Sequence, residues 1–206
     1  MATRSSRDHH ILMTIEYYNQ NAQSFVDSTL YVDMQTLYKP FVSLLPQNAL
    51  ILDAGCGSGR DSKAFLDMGF QVEAMDASKE MVKHATSYTG LKVQNKTFQD
   101  IHEQEKYDAI WTCASLLHVP QSELTTVISK LSDALKSNGI WYLSFKYGNT
   151  ERVKDGRTFT DMDERSIETL LSHQPDLRLV DIWITQDARP ERDERWLNLI
   201  TKKRDT

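Results

Sequence analysis

The sequence predicts an α/β fold, a doubly wound and mostly parallel sheet, and three observations predict it. Short apolar runs of strand length alternate with longer stretches whose apolar residues recur every three to four positions. The first such run, Ala49-Leu50-Ile51-Leu52, passes into a glycine-rich turn that opens a helical pattern carrying Ala64, Phe65 and Met68. Strand-turn-helix units repeated in this way build parallel βαβ crossovers with helices on both faces. At 206 residues, 40% hydrophobic and 26% charged, the chain has ordinary globular composition and enough length for one continuous core. A single domain over 1–206 is therefore expected.

Taken in order, residues 1–8 are polar and expected to be disordered. From 9 to about 30, Ile11, Leu12, Ile15, Tyr18, Ala22 and Phe25 form a helical face. A second helix over 33–45 carries Met34, Leu37, Phe41 and Leu44, with Pro46 beyond its end. These two helices precede a core over 46–202. Strand one and its helix are followed by strand two at 70–75, ending in Asp76, and by a helix over 79–88 that Gly90 stops. Strand three is read at 91–96 and strand four at 106–111. A helix over 121–136, with Leu124, Val127, Leu131 and Leu135 as its face, ends at Asn138-Gly139, and strand five covers 140–145. Residues 149–162 lack apolar periodicity and read as a loop of lid length. A helix near 163–172, strand six at 177–185, a turn at 187–190 and strand seven at 195–201 complete the pattern.

The glycine turn carries the chemistry. In Gly55-Cys56-Gly57-Ser58-Gly59-Arg60 the glycines admit positive φ and close approach of a ligand. The helix that follows presents unpaired N–H groups and partial positive charge to the same spot. Such a turn holds a nucleotide-like cofactor. A dinucleotide fingerprint reads G-x-G-x-x-G, but here the sixth place is Arg60 and the third glycine comes one residue early. Asp53 ends the strand just before the turn. Asp76 lies 21 residues after Gly55, about where nucleotide-binding folds place a carboxylate on ribose hydroxyls.

With an acid preceding G-x-G-x-G, this stretch resembles motif I of the class I, Rossmann-like S-adenosylmethionine-dependent methyltransferases, and the likeness extends over about residues 10–202. The resemblance implies a seven-stranded sheet whose last strand is antiparallel, with the N-terminal helices as a cap. It implies S-adenosyl-L-methionine as cofactor, released as S-adenosyl-L-homocysteine after its methyl group passes to an acceptor. By the same resemblance, the cofactor is bound by Asp53, Gly55, Cys56, Gly57 and Gly59, then Asp76 with Ala77, and Met81 near the adenine. Asp100 takes the adenine amine, with the Ile101 backbone beside it, and Cys113 lies on the loop facing the transferable methyl. Met81 is equally readable as a core methionine.

Thr112 to Pro120 lacks the [Asp/Asn]-Pro-Pro-[Tyr/Phe] signature that positions an exocyclic base amine or a glutamine amide. Three roles are open to His118: a base on an attacking hydroxyl or amine, orientation of the loop, or a cap on the helix after Pro120. No metal cluster is evident. The net charge of −5 gives no global basic field for nucleic acid or anionic lipid. Arg189, Arg192 and Arg195 surround one turn and are read as a solvated group paired with Glu191, Asp193 and Glu194. A small organic acceptor is expected, with Tyr17, off the main helical stripe, and Lys146 among its contacts. Non-catalytic cofactor binding, RNA or protein methylation and NAD-dependent oxidoreduction are the alternatives. Two isolated thiols, Cys56 and Cys113, and no apolar run of membrane-spanning length give a cytoplasmic reading. Nothing in the sequence sets the acceptor's identity or the oligomeric state.

Overall fold

The computed structural model describes residues 4–189 and 191–205. Its strands are β1 (Leu50–Ala54), β2 (Gln71–Asp76), β3 (Gln94–Asn95), β4 (Tyr107–Thr112), β5 (Leu135–Lys146), β6 (Glu151–Lys154), β7 (Arg157–Thr160), β8 (Leu177–Gln186) and β9 (Arg195–Lys203). All but β6 and β7 form one seven-stranded sheet, in the order β3-β2-β1-β4-β5-β9-β8. Strands β1 to β5 pair in parallel, whereas β9 runs antiparallel to both β5 and β8, as expected for the last strand. Strand order reverses at β1, which pairs with β2 on one side and β4 on the other. A crevice opens at the carboxyl ends of strands where the order reverses. That is where the glycine turn lies.

The helices are α1 (Arg4–Gln20), α2 (Ala22–Thr29), α3 (Gln35–Val42), α4 (Arg60–Asp67), α5 (Lys79–Thr89), α6 (Gln121–Ala134) and α7 (Glu164–Ser172). Beneath α3 and α4, Trp111 of β4 stacks on Tyr142 of β5 at 3.9 Å between centroids, and Phe41 and Phe65 close over the pair. All four are fully buried. On the other face α6 buries Leu124, Val127 and Leu131 of its expected stripe together with Ile128, whereas Leu135 falls in β5.

Several expected boundaries move. The first helix begins at Arg4, inside the stretch read as disordered, and residues 1–3 lie outside the described residues. It breaks at Asn21 into α1 and α2. Strand three shrinks to Gln94–Asn95. Helix α6 stops at Ala134 rather than at Asn138-Gly139, because Leu135 already pairs with Tyr107 of β4. Asn138, at φ 64°, turns a bulge within β5 instead, after which Ile140 resumes pairing opposite Ala109.

The largest departure is at 149–162. Strands β6 and β7 form a hairpin there, not a lid-length loop. Its two-residue turn is Asp155-Gly156, both at positive φ (52° and 76°), as a type I′ connection requires. Thr158 of β7 donates its N–H to Thr14 Oγ1 of α1 at 3.2 Å. The hairpin and α1 thus close together over the carboxyl edge of the sheet.

Candidate active site

The glycine turn is held open by its own backbone. Gly55 sits at φ 83°, and a Cβ there would lie 2.4 Å from Ser115 Cβ. Ser115 in turn donates Oγ–H to the Ala54 carbonyl at 2.8 Å, which fixes the loop after β4 against the end of β1. Gly57, at φ 53°, lies under the Phe25 ring, 3.1 Å from where its Cβ would be. Gly59 serves a different purpose. Its Cβ would strike Ala85 and Thr89 of α5, so glycine there allows α4 to start close against α5, away from the cavity.

Asp76 is at the end of β2, facing the turn. Its carboxylate accepts N–H from Gly57 and from Ser78, each at 2.9 Å. Burial raises its pKa, and these backbone donors work against the rise. Each carboxylate oxygen has two acceptor sites, so capacity remains toward the cavity that Asp76 lines. Ser78 caps α5 through Met81 N–H at 3.2 Å and donates to Asn19 Oδ1 at 2.8 Å, tying α1 to the sheet.

The cavity has a volume of about 390 Å³. Gly55, Cys56, Gly57, Asp76, Ala77 and Met81 line one end, together with Phe98 and Gln99. Cys113, His118, Tyr17 and Lys146 line the remainder, so most of the expected site residues converge.

Three expected contacts, besides Gly59, do not reach the wall. Asp100 turns back on its own segment, accepting Thr97 N–H at 3.0 Å and Thr97 Oγ–H at 2.6 Å, which closes a capping box. Its neighbours Phe98 and Gln99 face the cavity in its place. Ile101 is buried in the core behind the sheet edge. Asp53 is also buried, with Ser62 of α4 donating to it at 2.6 Å, and burial beside Asp61 raises its pKa. Of the two acids beside the turn, Asp53 and Asp61, the one on the wall is Asp61, next to Arg60, Tyr38 and Trp111, all of which donate to it. Burial would raise the Asp61 pKa, but Arg60 outweighs it and the group stays ionised.

The roof holds a polar chain absent from the expected contacts. Tyr18, not Tyr17, meets His118: its O–H lies 2.7 Å from Nε2. His118 Nδ1 lies 2.8 Å from the Thr158 carbonyl of β7. A carbonyl only accepts, so Nδ1 carries the proton and Nε2 receives the Tyr18 hydroxyl. Burial lowers the His118 pKa to about 4, only partly opposed by the Thr158 carbonyl, so the imidazole is neutral near pH 7. Burial raises Tyr18 to about 12 against the pull of Arg157. Tyr17 instead lies under the Arg157 guanidinium, 3.9 Å from its ring centroid.

At the far wall Lys146 is paired with Glu194 and lies 4.9 Å over the Phe159 ring. Arg189 lines the cavity with Asp187 as its partner at 2.6 Å, which corrects the expected pairing with the acids that follow it. Burial would raise Asp187, but its bonds to Arg189 and Trp196 hold it at about 2. Arg192 does reach Glu194, at 3.7 Å, and Arg195 covers the Tyr147 ring. Among the described residues no group of three or more His, Cys, Asp or Glu is arranged to hold a metal.

Strand order, antiparallel β9 and a glycine turn facing an acid at the end of β2 define a class: the Rossmann-like, class I methyltransferase fold. Within it, residues 51–139 match the methyltransferase domain family. The Burkholderia thailandensis 1,6-didemethyltoxoflavin N1-methyltransferase superposes with a TM-score of 0.79 at 20% identity, covering 100% of this chain and 92% of that one. Magnesium protoporphyrin IX methyltransferase from Synechocystis PCC 6803 gives 0.72 at 19% identity, covering 94% and 97%. At such identities the likeness is one of fold. In sequence, the ubiquinone biosynthesis O-methyltransferase of Xanthomonas axonopodis pv. citri is 34% identical over 109 residues, 49% of this chain and 44% of that protein. The Rickettsia prowazekii protein of the same name is 33% identical over 99 residues, 46% and 38%. The match thus spans less than half the length of these curated relatives.

Proposed function

We propose that the chain is an S-adenosylmethionine-dependent methyltransferase acting on a small-molecule acceptor. The observation that carries this is Asp76 facing the Gly55–Gly57 turn at the mouth of a cavity that continues under α1 and the hairpin. The residues present fit the cofactor. Positive φ and missing Cβ atoms at Gly55 and Gly57 keep the floor open, and the Asp76 carboxylate retains sites for ribose hydroxyls. Phe98 and Met81 give apolar surface to an adenine ring, and Gln99 gives it a polar group in the place expected of Asp100.

When bound, the cofactor supplies a methyl group on a positively charged sulfur, a leaving group already activated. The protein's share is positioning and exclusion of water, which needs neither a nucleophilic triad nor a metal. Tyr18 and His118 supply the positioning. The Tyr18 oxygen donates to Nε2 and accepts from Arg157, and its remaining acceptor site would hold an acceptor O–H or N–H in a defined direction. A histidine with a pKa of about 4 is a weak base at pH 7, so orientation of Tyr18 describes His118 better than proton abstraction. The aromatic wall of Tyr17, Tyr18, Phe25 and Phe159 excludes water.

The sequence likeness to enzymes named for ubiquinone biosynthesis supports a small acceptor over a polymer. The thiols Cys56 and Cys113, present without a disulfide, are consistent with a cytoplasmic place, and among the described residues no helix is long and apolar enough to cross a membrane. Calorimetric titration with S-adenosylmethionine, S-adenosylhomocysteine and NAD tests the reading. The first two bind and NAD does not; the reverse result overturns it.

A further inference from the structure

We propose that Arg157 forms an anion subsite in the acceptor half of this cavity, so that the acceptor is a small molecule bearing a carboxylate or another oxyanion. This rests on the methyltransferase reading and names the chemical class of its substrate.

The guanidinium of Arg157 lies on the cavity wall, over Tyr17 at 3.9 Å, with the Phe159 centroid at 5.1 Å and that of Tyr18 at 5.9 Å. Rings cover its flat face, and one in-plane N–H serves the Tyr18 hydroxyl, which leaves the others in its plane as the means of recognition. Its Nε is buried and has no hydrogen-bond partner among the described residues. A buried donor without a partner is costly, and the cost is larger for a charged group. The one ion pair, from Nη2 to Asp155, is 3.5 Å long, and that carboxylate is 59% exposed at the tip of the hairpin. An exposed pair at that distance holds weakly and gives way to a ligand with better geometry.

Apart from Lys154, the charged groups around the acceptor half are already matched. Asp61 is taken by Arg60 and Asp187 by Arg189, while Glu194 serves both Lys146 and Arg192. Asp76 belongs to the opposite end, where backbone N–H groups hold it. Lys154, across the hairpin turn from Arg157, lines the cavity with no ion pair among the described residues. A chain of net charge −5 therefore encloses a local excess of positive charge where the acceptor would lie. The Nε–H and the Nη2 beside it present the parallel fork that a carboxylate or phosphate accepts. Arg157 also precedes Thr158, whose carbonyl orients His118, so the anion and the reacting group would be set from the same strand.

The test uses matched probes, 4-hydroxybenzoate against 4-hydroxybenzamide and phenyl phosphate against phenol, titrated into the protein with and without saturating S-adenosylhomocysteine. In wild type an anionic member binds at least tenfold more tightly than its neutral partner. Arg157→Gln removes that preference and leaves S-adenosylhomocysteine affinity within twofold. Asp155→Asn, which frees the fork at an exposed position, tightens the anionic probe. Absent or equal binding of both anionic members in wild type overturns the subsite, as does a preference that survives Arg157→Gln. Should Arg157→Gln fail to fold, Asp155→Asn decides, since a weakened anionic probe in that variant is equally fatal. Failure of S-adenosylhomocysteine to bind overturns the methyltransferase reading instead, and the titrations without it still judge Arg157.

Discussion

Asp76 combines two demands that pull in opposite directions. Burial favours its neutral form, yet a carboxylate is what could accept two hydroxyls at once. The N–H groups of Gly57 and Ser78 offset part of the burial cost and aim the oxygens. Replacing Asp76 by Ala should weaken S-adenosylhomocysteine binding by about 1.5–3 kcal/mol, the range for hydrogen bonds to a charged group, read by calorimetry. His118 gives a prediction about pH. Its folded pKa of about 4 lies below the unfolded value near 6.5, so the unfolded chain binds more protons between them. Stability contributed by the neutral ring is therefore complete above about pH 6.5 and is lost as pH falls toward 4, by on the order of 3 kcal/mol. Asp53 and Asp76, raised by burial, act in the opposite direction over the acidic range. The quantity to read is thus the difference between wild type and His118→Gln in denaturant melts from pH 4 to 7. The variant should lose less stability on acidification.

Among the elements, α1 and the β6–β7 hairpin make the difference between an open sheet edge and an enclosed cavity. Neither is held by the central sheet's own ladder. Helix α1 is anchored by Asn19 on Ser78 and by Thr14 on Thr158, and β7 also reaches the loop after β4, where Thr160 donates to the Val119 carbonyl at 2.8 Å. Ser78→Ala removes the cap of α5 and the tether of α1 together. It should cost about 1 kcal/mol through the cap and more through the tether. In a chain of this size each kcal/mol lowers Tm by about 2–4 °C, so a melt resolves the change. The hairpin itself is legible in the sequence: Asp155-Gly156 is a strong two-residue turn signal. Its polar flanks obscure it, because β6 is largely exposed and shows no apolar alternation.

Across the chain as a whole, binding of the demethylated cofactor should be visible as added stability. At a hundredfold excess over Kd, a ligand that binds only the folded state adds about 2.7 kcal/mol. S-adenosylhomocysteine at that level should raise Tm by roughly 5–10 °C, whereas NAD should leave it in place. A net charge of −5 gives no global basic field for a polymer. Filter binding to RNA across a salt series should show no tight, steeply salt-dependent complex, and one that was methylated would overturn the small-molecule reading.

The features that the chain declares along its own length are local in origin. The order of strands and helices, the glycine turn and the acid at the end of β2 each depend on a few neighbouring residues and on periodicity. The antiparallel last strand is legible only through a family likeness, carried by that turn and by the two strands and short turn read over 177–201. The direction of individual side chains is a different matter. Asp53 and Asp61 are both acids beside the turn, and which one faces the cavity depends on Ser62, Tyr38 and Trp111, brought together from distant segments. Tyr17 and Tyr18 both line the cavity, and the docking of β7 against α1 places Arg157 over one ring and His118 beside the other. Order after Asp76 points to Asp100 as an adenine contact, yet a capping bond three residues away turns it from the site. These outcomes depend on contacts between residues far apart in sequence, and such contacts leave no periodic trace in it.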